Sequence, residues 1–165
     1  MGDATLSMTG TQLAISVPGG SSHDVWTSGN FAPRIMQTIN DTDFSIEVKF
    51  DSVPSAAFQL QGLLVEADSD TFLRFDFYSS GAGLNVFAAS FTDGSPSIQA
   101  NQSISSGTAL YMRVERQGDQ WTQSYSYDGT NWFIAASFSF TLPVSSVGVF
   151  AVSYTHLTLP TKRIV

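Results

Sequence analysis

A charged pair lies between aromatic residues on one short stretch of the chain. Arg74 and Asp76 alternate with apolar residues in the sequence Phe-Leu-Arg-Phe-Asp-Phe-Tyr of residues 72–78. Side chains two apart on a β-strand point to the same side, so Arg74, Asp76 and Tyr78 are predicted to share a face. Two interpretations stay open. The face is either a ligand surface or a buried ion pair that fixes strand register and adds little net stability.

A second candidate is Trp26, which lies in a polar stretch, residues 21–30, without strand alternation. Sugar binding needs a flat aromatic surface for the apolar face of the ring and planar bidentate groups for neighbouring hydroxyls. Trp26, with Asn30 and Arg34, offers those residue types. The alternative is structural: Trp26 closes one end of the fold and Arg34 pairs with an acidic neighbour. The sequence leaves both open.

The carboxylates are poorly arranged for catalysis. A glycosidase needs two carboxylates about 5 to 9.5 Å apart, one of them with a raised pKa, whereas Glu47, Glu66 and Glu115 are isolated in the sequence. The case for serine-type hydrolysis is weaker still, because His23 is the only credible histidine and no Gly-x-Ser-x-Gly elbow occurs. We predict no catalytic residues, no enzyme activity, and a structural His23 hydrogen-bonded next to Asp24.

Two pairs of loop aspartates have the oxygen chemistry that calcium prefers. They are Asp41 with Asp43 and Asp68 with Asp70. Acids in loops are also the ordinary composition of turns. We predict no cofactor and no metal site, and we keep a structural calcium ion as the secondary alternative.

Composition narrows the classes of partner. The net charge is -7 and the seven Lys and Arg residues are scattered, which argues against a nucleic acid partner. No apolar run approaches the roughly 18 residues that a membrane helix needs, so we predict no membrane insertion. Cysteine is absent, which excludes disulfides and thiolate chemistry.

Apolar and polar residues alternate with a period of two along most of the chain, and each such stretch ends at Gly, Pro, Asn, Asp or Ser. This pattern favours strands throughout. About nine or ten strands joined by short loops predict two packed antiparallel sheets in a single domain. The candidate strands are residues 11–17, 44–50, 59–66, 71–78, 84–91, 109–116, 121–127, 132–140 and 146–152.

One hairpin is well marked by its residues. Asp128-Gly129 precedes Trp132 in a pattern that resembles an Asp-box, where an acidic side chain binds turn amides and the indole packs beneath. We predict that Trp132 lies in the core. The row of Trp121, Tyr125 and Tyr127 shares one face and is predicted to pack there as well.

Three segments together resemble the laminin-G-like and concanavalin A-like lectin and glucanase jelly rolls of bacterial secreted proteins, which often have no assigned function. They are HDVWTSGNFAPR at 23–34 with DFSIEVKF at 43–50, QGLLVEADSDTFLRFD at 61–76, and YMRVERQG at 111–118 with YSYDGTNW at 125–132.

The resemblance implies an all-β, antiparallel two-sheet jelly-roll sandwich whose concave face holds sugars in many relatives. If the strand of Arg74 lies on that face, Gln61 and Asn85 join Arg74, Asp76 and Tyr78 in lining a groove. The Glu-x-Asp-x-Glu motif of the glucanases in this superfamily does not occur here. The resemblance therefore implies a fold rather than an activity.

The two ends of the sequence need separate treatment. Residues 152–161, VSYTHLTLPT, resemble the translation of a sequencing-library adapter that contaminates metagenomic assemblies. We expect a jelly-roll domain at 1–151 and a non-native tail at 152–165, although the alternation of the tail also allows a final strand. The start has neither a basic n-region nor an apolar h-region, so we expect either a cytosolic start or a segment of a longer precursor.

These observations favour a non-catalytic carbohydrate-binding or adhesion module of a secreted multidomain bacterial protein. Its expected partners are a glycan or polysaccharide and a neighbouring domain, and its expected location is extracellular or at the cell surface. A structural spacer beside an enzyme domain is the main alternative, and a degenerate glycoside hydrolase is a third.

Overall fold

The computed structural model describes residues 3–18, 23–107, 110–153 and 157–162. Within these ranges the chain forms fifteen β-strands and no helix, which confirms the predicted all-β class. The strands are β1 Thr5–Thr9, β2 Gln12–Val17, β3 Val25–Trp26, β4 Gly29–Asn30, β5 Arg34–Thr38, β6 Phe44–Phe50, β7 Leu60–Glu66, β8 Phe72–Ser79, β9 Leu84–Thr92, β10 Ser95–Ile104, β11 Leu110–Gln117, β12 Gln120–Ser126, β13 Phe133–Ser139, β14 Ser146–Val152 and β15 Leu157–Lys162.

The described strands form two large antiparallel sheets and one small hairpin, so the predicted two-sheet sandwich is confirmed. The seven-stranded sheet has the order β1-β2-β15-β6-β11-β12-β13, and the six-stranded sheet has the order β10-β9-β8-β7-β14-β5. The main core lies between them and includes the fully buried Phe50, Phe75 and Trp121. Trp121 and Tyr125 are buried, as predicted for this row.

The six-stranded sheet is unusual because its central strands are buried on both faces. On β8, Leu73, Phe75 and Phe77 face the main core, while the alternate residues from Phe72 to Asp76 are also buried. An antiparallel sheet commonly leaves one face in water. Here a second apolar cluster covers the outer face, and it includes Leu64, Phe91 and Phe150 together with residues before β5.

A short hairpin supplies that cover. It consists of β3 and β4, which pair Val25 with Asn30 and Trp26 with Gly29, and we call it the covering hairpin. Gly29 has φ of 124°, a backbone conformation that residues other than glycine rarely adopt. The carboxylate of Asp24 accepts hydrogen bonds from the backbone of Val25 and Ser28 and so stabilises the turn.

The predicted Asp-box-like turn between β12 and β13 is present, but the predicted position of Trp132 is wrong. Asp128 accepts hydrogen bonds from the backbone N–H groups of Thr130 and Asn131. Trp132 is only half-buried, and the Arg113 guanidinium lies 3.9 Å from its ring centroid. Arg113 is on the outer face of its sheet, so the indole packs outside the core.

The Asp128 turn gives a testable dependence on pH. Hydrogen bonds from the Asn131 backbone and side chain, and then from Thr130, hold the pKa of Asp128 well below its ordinary value. A lowered folded-state pKa stabilises the fold above the unfolded pKa of about 3.9, and this contribution is lost as the pH falls through the folded value. We expect Asp128→Ala to lower the urea midpoint at pH 7 and to differ less from the natural chain near pH 2. An equal difference at both pH values would contradict this.

The terminal segment forms a strand in this structure. β15 pairs with β2 along Leu157–Lys162 and with β6 through Thr161 and Lys162. The remaining residues of the expected tail, 154–156 and 163–165, lie outside the described residues, as does the predicted strand start at Ala109. In the described ranges, no helix has the length and apolar character required to cross a membrane.

Candidate functional site

A groove of about 290 Å³ lies on the outer face of the six-stranded sheet, beside the covering hairpin. Its floor comes from strands β7, β8, β9 and β14, and further residues come from the hairpin, β10 and the loop before β7. The lining residues are Asp24, Val25, Trp26, Phe58, Leu60, Arg74, Tyr78, Phe87, Ile98 and Val152. Three of the sequence-predicted site residues, Trp26, Arg74 and Tyr78, therefore meet in one place.

Arg74 and Asp76 form a buried ion pair, which is the structural interpretation that the sequence left open. Arg74 Nε lies 2.6 Å from Asp76 Oδ2, and the two side chains are 8% and 0% exposed. Burial raises the pKa of Asp76, and the charge and hydrogen bonds of Arg74 partly oppose that shift. Arg74 also donates to the carbonyl of Val25 at 3.0 Å, which ties the covering hairpin to the sheet.

The aromatic residues of the groove stand edge to face. Trp26 and Tyr78 each lie 5.9 Å from the ring centroid of Phe87, at interplanar angles of 63° and 89°. The Arg74 guanidinium lies 5.0 Å from the Phe87 ring centroid and 5.8 Å from that of Trp26. Edge-to-face pairs and nearby cations add to the stability of such clusters. These contacts hold the aromatic side chains of the wall and floor of the groove in place.

Asn30 and Arg34 do not line the groove. The Asn30 side chain donates to Glu66 Oε1 at 2.8 Å, and Arg34 Nε lies 3.2 Å from the same oxygen. Arg34 also donates to the backbone and side-chain oxygens of Asn30. Both planar groups thus join the covering hairpin to the end of β7, in keeping with the structural alternative for Arg34.

Asn85 shares the outer face with Tyr78, its direct partner across β8 and β9, but does not line the groove. It accepts a hydrogen bond from Ser103 at 2.9 Å. Gln61 lies on the opposite face, where it is fully buried and its amide bonds Ser52. The prediction that Gln61 lines the same groove as Arg74 therefore needs correction, because adjacent Gly62, and not Gln61, stands opposite Asp76.

Two exposed groove residues were missed in the sequence. Phe58 is 61% exposed and has φ of 61°, and Ile98 is 57% exposed. Phe58 lies in the loop before β7, and Ile98 lies on β10, whose polar sequence was not recognised as a strand. An aromatic residue alone in a loop of small residues was the available indication for Phe58.

The acidic residues in the groove and beneath it already have partners within the protein. Asp24 uses both carboxylate oxygens for turn amides, and Asp76 is inaccessible. His23 is also buried, with Nε2 2.7 Å from Asp3 Oδ1.

Asp41 and Asp68, two of the loop aspartates considered for calcium, accept hydrogen bonds from within the protein. The Asp68 carboxylate accepts from the backbone of Asp70 and Thr71, and Asp41 binds Arg116 and the Val144 N–H. The Arg116 hydrogen bond, the largest cause, holds the pKa of Asp41 below its ordinary value. No group of three or more His, Asp or Glu side chains suited to a metal occurs in the described part of the chain.

Residues 8–159 match the model of a family described as "Protein of unknown function (DUF1349)". No curated protein matches this sequence.

Several solved structures share the fold at low sequence identity. A functionally unknown protein from Saccharomyces cerevisiae has a TM-score of 0.80 and 13% identity, with 98% of this chain and 90% of that chain covered. The carbohydrate-binding module CBM66 from Bacillus subtilis has a TM-score of 0.65 and 12% identity, with 98% and 92% covered. A mutant of the GH43 protein BlXynB from Bacillus licheniformis has a TM-score of 0.75 and 17% identity.

The chain spans 32% of the BlXynB chain and 93% of its own length is matched there. At these identities the likeness concerns the fold alone. It supports the predicted antiparallel two-sheet sandwich.

Proposed function

We propose that this chain, which belongs to the DUF1349 family of proteins of unknown function, is a non-catalytic carbohydrate-binding module. The observation that carries the proposal is the groove beside the covering hairpin. It combines exposed aromatic surface at Phe58 with the polar groups of Asp24, Arg74 and Tyr78. Flat apolar surface with a few convergent polar groups suits a sugar ring.

The likeness to CBM66 supports this proposal, because that protein is a carbohydrate-binding module of nearly the same extent. The GH43 likeness supports a place beside other domains, since the fold occurs there within a much longer chain. We propose accordingly that the module works outside the cell or at its surface, next to a neighbouring domain, and that its partner is a glycan or polysaccharide. Nucleic acid and membrane insertion have no place in this proposal, nor does a cofactor.

The chemistry of the groove supports a non-catalytic role. A glycosidase needs one carboxyl that can donate a proton and a second that acts as base or nucleophile. Asp76 is fully buried beneath Arg74, and Asp24 binds the turn of the covering hairpin. Asp76 does not line the groove, so Asp24 has no second carboxylate beside it there.

A structural spacer is the second candidate, and a specific observation favours it. Asn30, Arg34 and Arg74, three of the planar groups predicted to bind sugar, all form internal bonds that hold the covering hairpin. Under this alternative, Trp26 serves only to cover the outer face. Direct binding measurements separate the two candidates.

Phe58→Ala is the most informative substitution for this purpose. Phe58 lines the groove and is 61% exposed, whereas Trp26 and Arg74 also hold the covering hairpin, so their removal would mix folding with binding. We expect the full chain to bind at least one member of a soluble polysaccharide panel in affinity electrophoresis. Phe58→Ala should weaken that binding about tenfold by removing the stacking surface.

The matched control is Phe133→Ala. Phe133 is 50% exposed and lies on β13, at the edge of the other sheet. This variant should bind as the natural chain does, and both variants should keep its far-UV circular dichroism spectrum. Failure of the folded chain to bind any glycan would overturn the proposal and leave the spacer as the better account.

A further inference from the structure

The groove has a distinctive balance of apolar and polar surface. Seven of its ten lining residues have wholly or mainly apolar side chains, and Tyr78 adds a further ring. The floor includes Leu60, Phe87 and Val152, which belong to the outer apolar cluster. Ile98, at 57% exposure, and Phe58 extend the apolar surface beyond the floor.

The polar groups of the groove already have protein partners. Arg74 donates to Asp76 and to the carbonyl of Val25, and Asp24 accepts from two backbone N–H groups. The Tyr78 hydroxyl donates to Asn101 at 3.0 Å. An unsubstituted sugar carries hydroxyl groups around most of its ring, and hydroxyls buried without partners lose their hydrogen bonds to water. This groove can satisfy only a small number of them.

The size of the groove fits an aromatic ring with part of a sugar. A dry cavity of about 150 Å³ is enough to hold benzene, and this groove has about 290 Å³. Trp26 and Tyr78 already stand edge to face with Phe87. A further ring over Leu60 and Phe87 would extend a cluster in which offset and edge-to-face contacts are favourable.

We propose that the groove recognises a sugar bearing an aromatic substituent, as an aryl glycoside or an aromatic ester, with the ring of the substituent on the apolar floor. This inference rests on the proposed function and names the class of glycan. The sugar hydroxyls form hydrogen bonds with the side chains of Asp24, Arg74 and Tyr78, each of which also bonds within the protein. The apolar floor then sets the preference for substituted over unsubstituted glycans.

Calorimetry with matched pairs of ligands tests the inference. The full chain is titrated with phenyl and methyl glycosides of the same pentoses and hexoses, and with phenol alone. We expect the phenyl glycoside to bind at least tenfold more tightly than its methyl counterpart, and phenol alone to bind more weakly than the phenyl glycoside. Ile98→Ala should reduce the advantage of the phenyl group several-fold, because it removes part of the apolar surface of the groove.

Ile134→Ala serves as the matched control, since Ile134 is 69% exposed on β13 and lies outside the groove. It should behave as the natural chain does. Equal affinities for phenyl and methyl glycosides would overturn the inference and leave the proposed function standing. Phenol binding as tightly as its glycoside would also overturn it, because the sugar would then contribute nothing. A folded chain that binds no glycoside and no polysaccharide would remove the proposed function itself.

Discussion

Arg74→Met is expected to destabilise the domain by about 3 to 5 kcal/mol, because it leaves the Asp76 carboxylate buried without its partner. Asp76 is 0% exposed, so water cannot replace the lost guanidinium without opening the structure. The substitution also removes the hydrogen bond to Val25 that ties the covering hairpin to the sheet. Urea denaturation followed by tryptophan fluorescence measures the loss.

The double variant Arg74→Met with Asp76→Leu is the control for this prediction. Replacing a buried ion pair by apolar residues of similar size is often neutral or stabilising. The new side chains would join the outer cluster beside Leu64 and Phe87. We expect the double variant to recover most of the lost stability. A double variant as unstable as Arg74→Met alone would show that the unpaired charge is not the cause.

The loss of stability in Arg74→Met should also depend on pH in a defined direction. Burial raises the pKa of Asp76, and removal of Arg74 deletes the main opposing influence. A folded-state pKa above the unfolded value means that the folded chain binds this proton more tightly. The stability deficit of Arg74→Met should therefore shrink as the pH falls from above the folded pKa toward the ordinary carboxyl range. A deficit that grows with acidity would contradict the assignment.

Gly62→Ala is expected to be the other severe substitution. An added Cβ at Gly62 would lie 2.0 Å from the backbone oxygen of Phe75 and 2.6 Å from the Cα of Asp76. These are backbone atoms of the neighbouring strand β8, held by the β7–β8 ladder, so they cannot turn away as the end of a side chain can. We expect a loss of about 3 kcal/mol or more, or failure to accumulate folded protein.

Gly83→Ala provides the matched control for Gly62→Ala. A Cβ at Gly83 would meet no heavy atom within 4 Å. Its effect on the urea midpoint should stay within about 0.5 kcal/mol. If Gly62→Ala were to express and unfold like the control, the close approach of β7 and β8 at this position would be disproved.

The strands with clear alternation could be predicted from the sequence because their own side chains divide between two environments. Phe44–Phe50 is such a strand, with Ile46, Val48 and Phe50 buried. Ser95–Ile104 was missed, since it is rich in Ser, Gln and Asn and lies at a sheet edge. Its pairing with β9 makes it a strand, and its own pattern gives little indication of that.

The candidate site was predictable only in part, for a related reason. The two-residue spacing correctly placed Arg74 and Asp76 on one face, because strand geometry fixes that relation. Gln61 was assigned to that face wrongly because β7 is buried along its whole length. A strand with two buried faces has no polar side to show its orientation. Phe58 and Ile98 reach the groove through tertiary packing, which periodicity does not encode.

The covering hairpin has a further consequence for the dynamics of the domain. Two residue pairs join its strands, whereas β7 and β8 share seven. Short segments with few backbone hydrogen bonds open at a lower free energy than the global unfolding of the domain. We expect the amide protons of residues 25–30 to exchange with solvent much faster than those of β8. A ligand seated between the hairpin and the sheet should slow that exchange. The exchange rate of the hairpin amides would then measure how much of the groove is occupied by ligand.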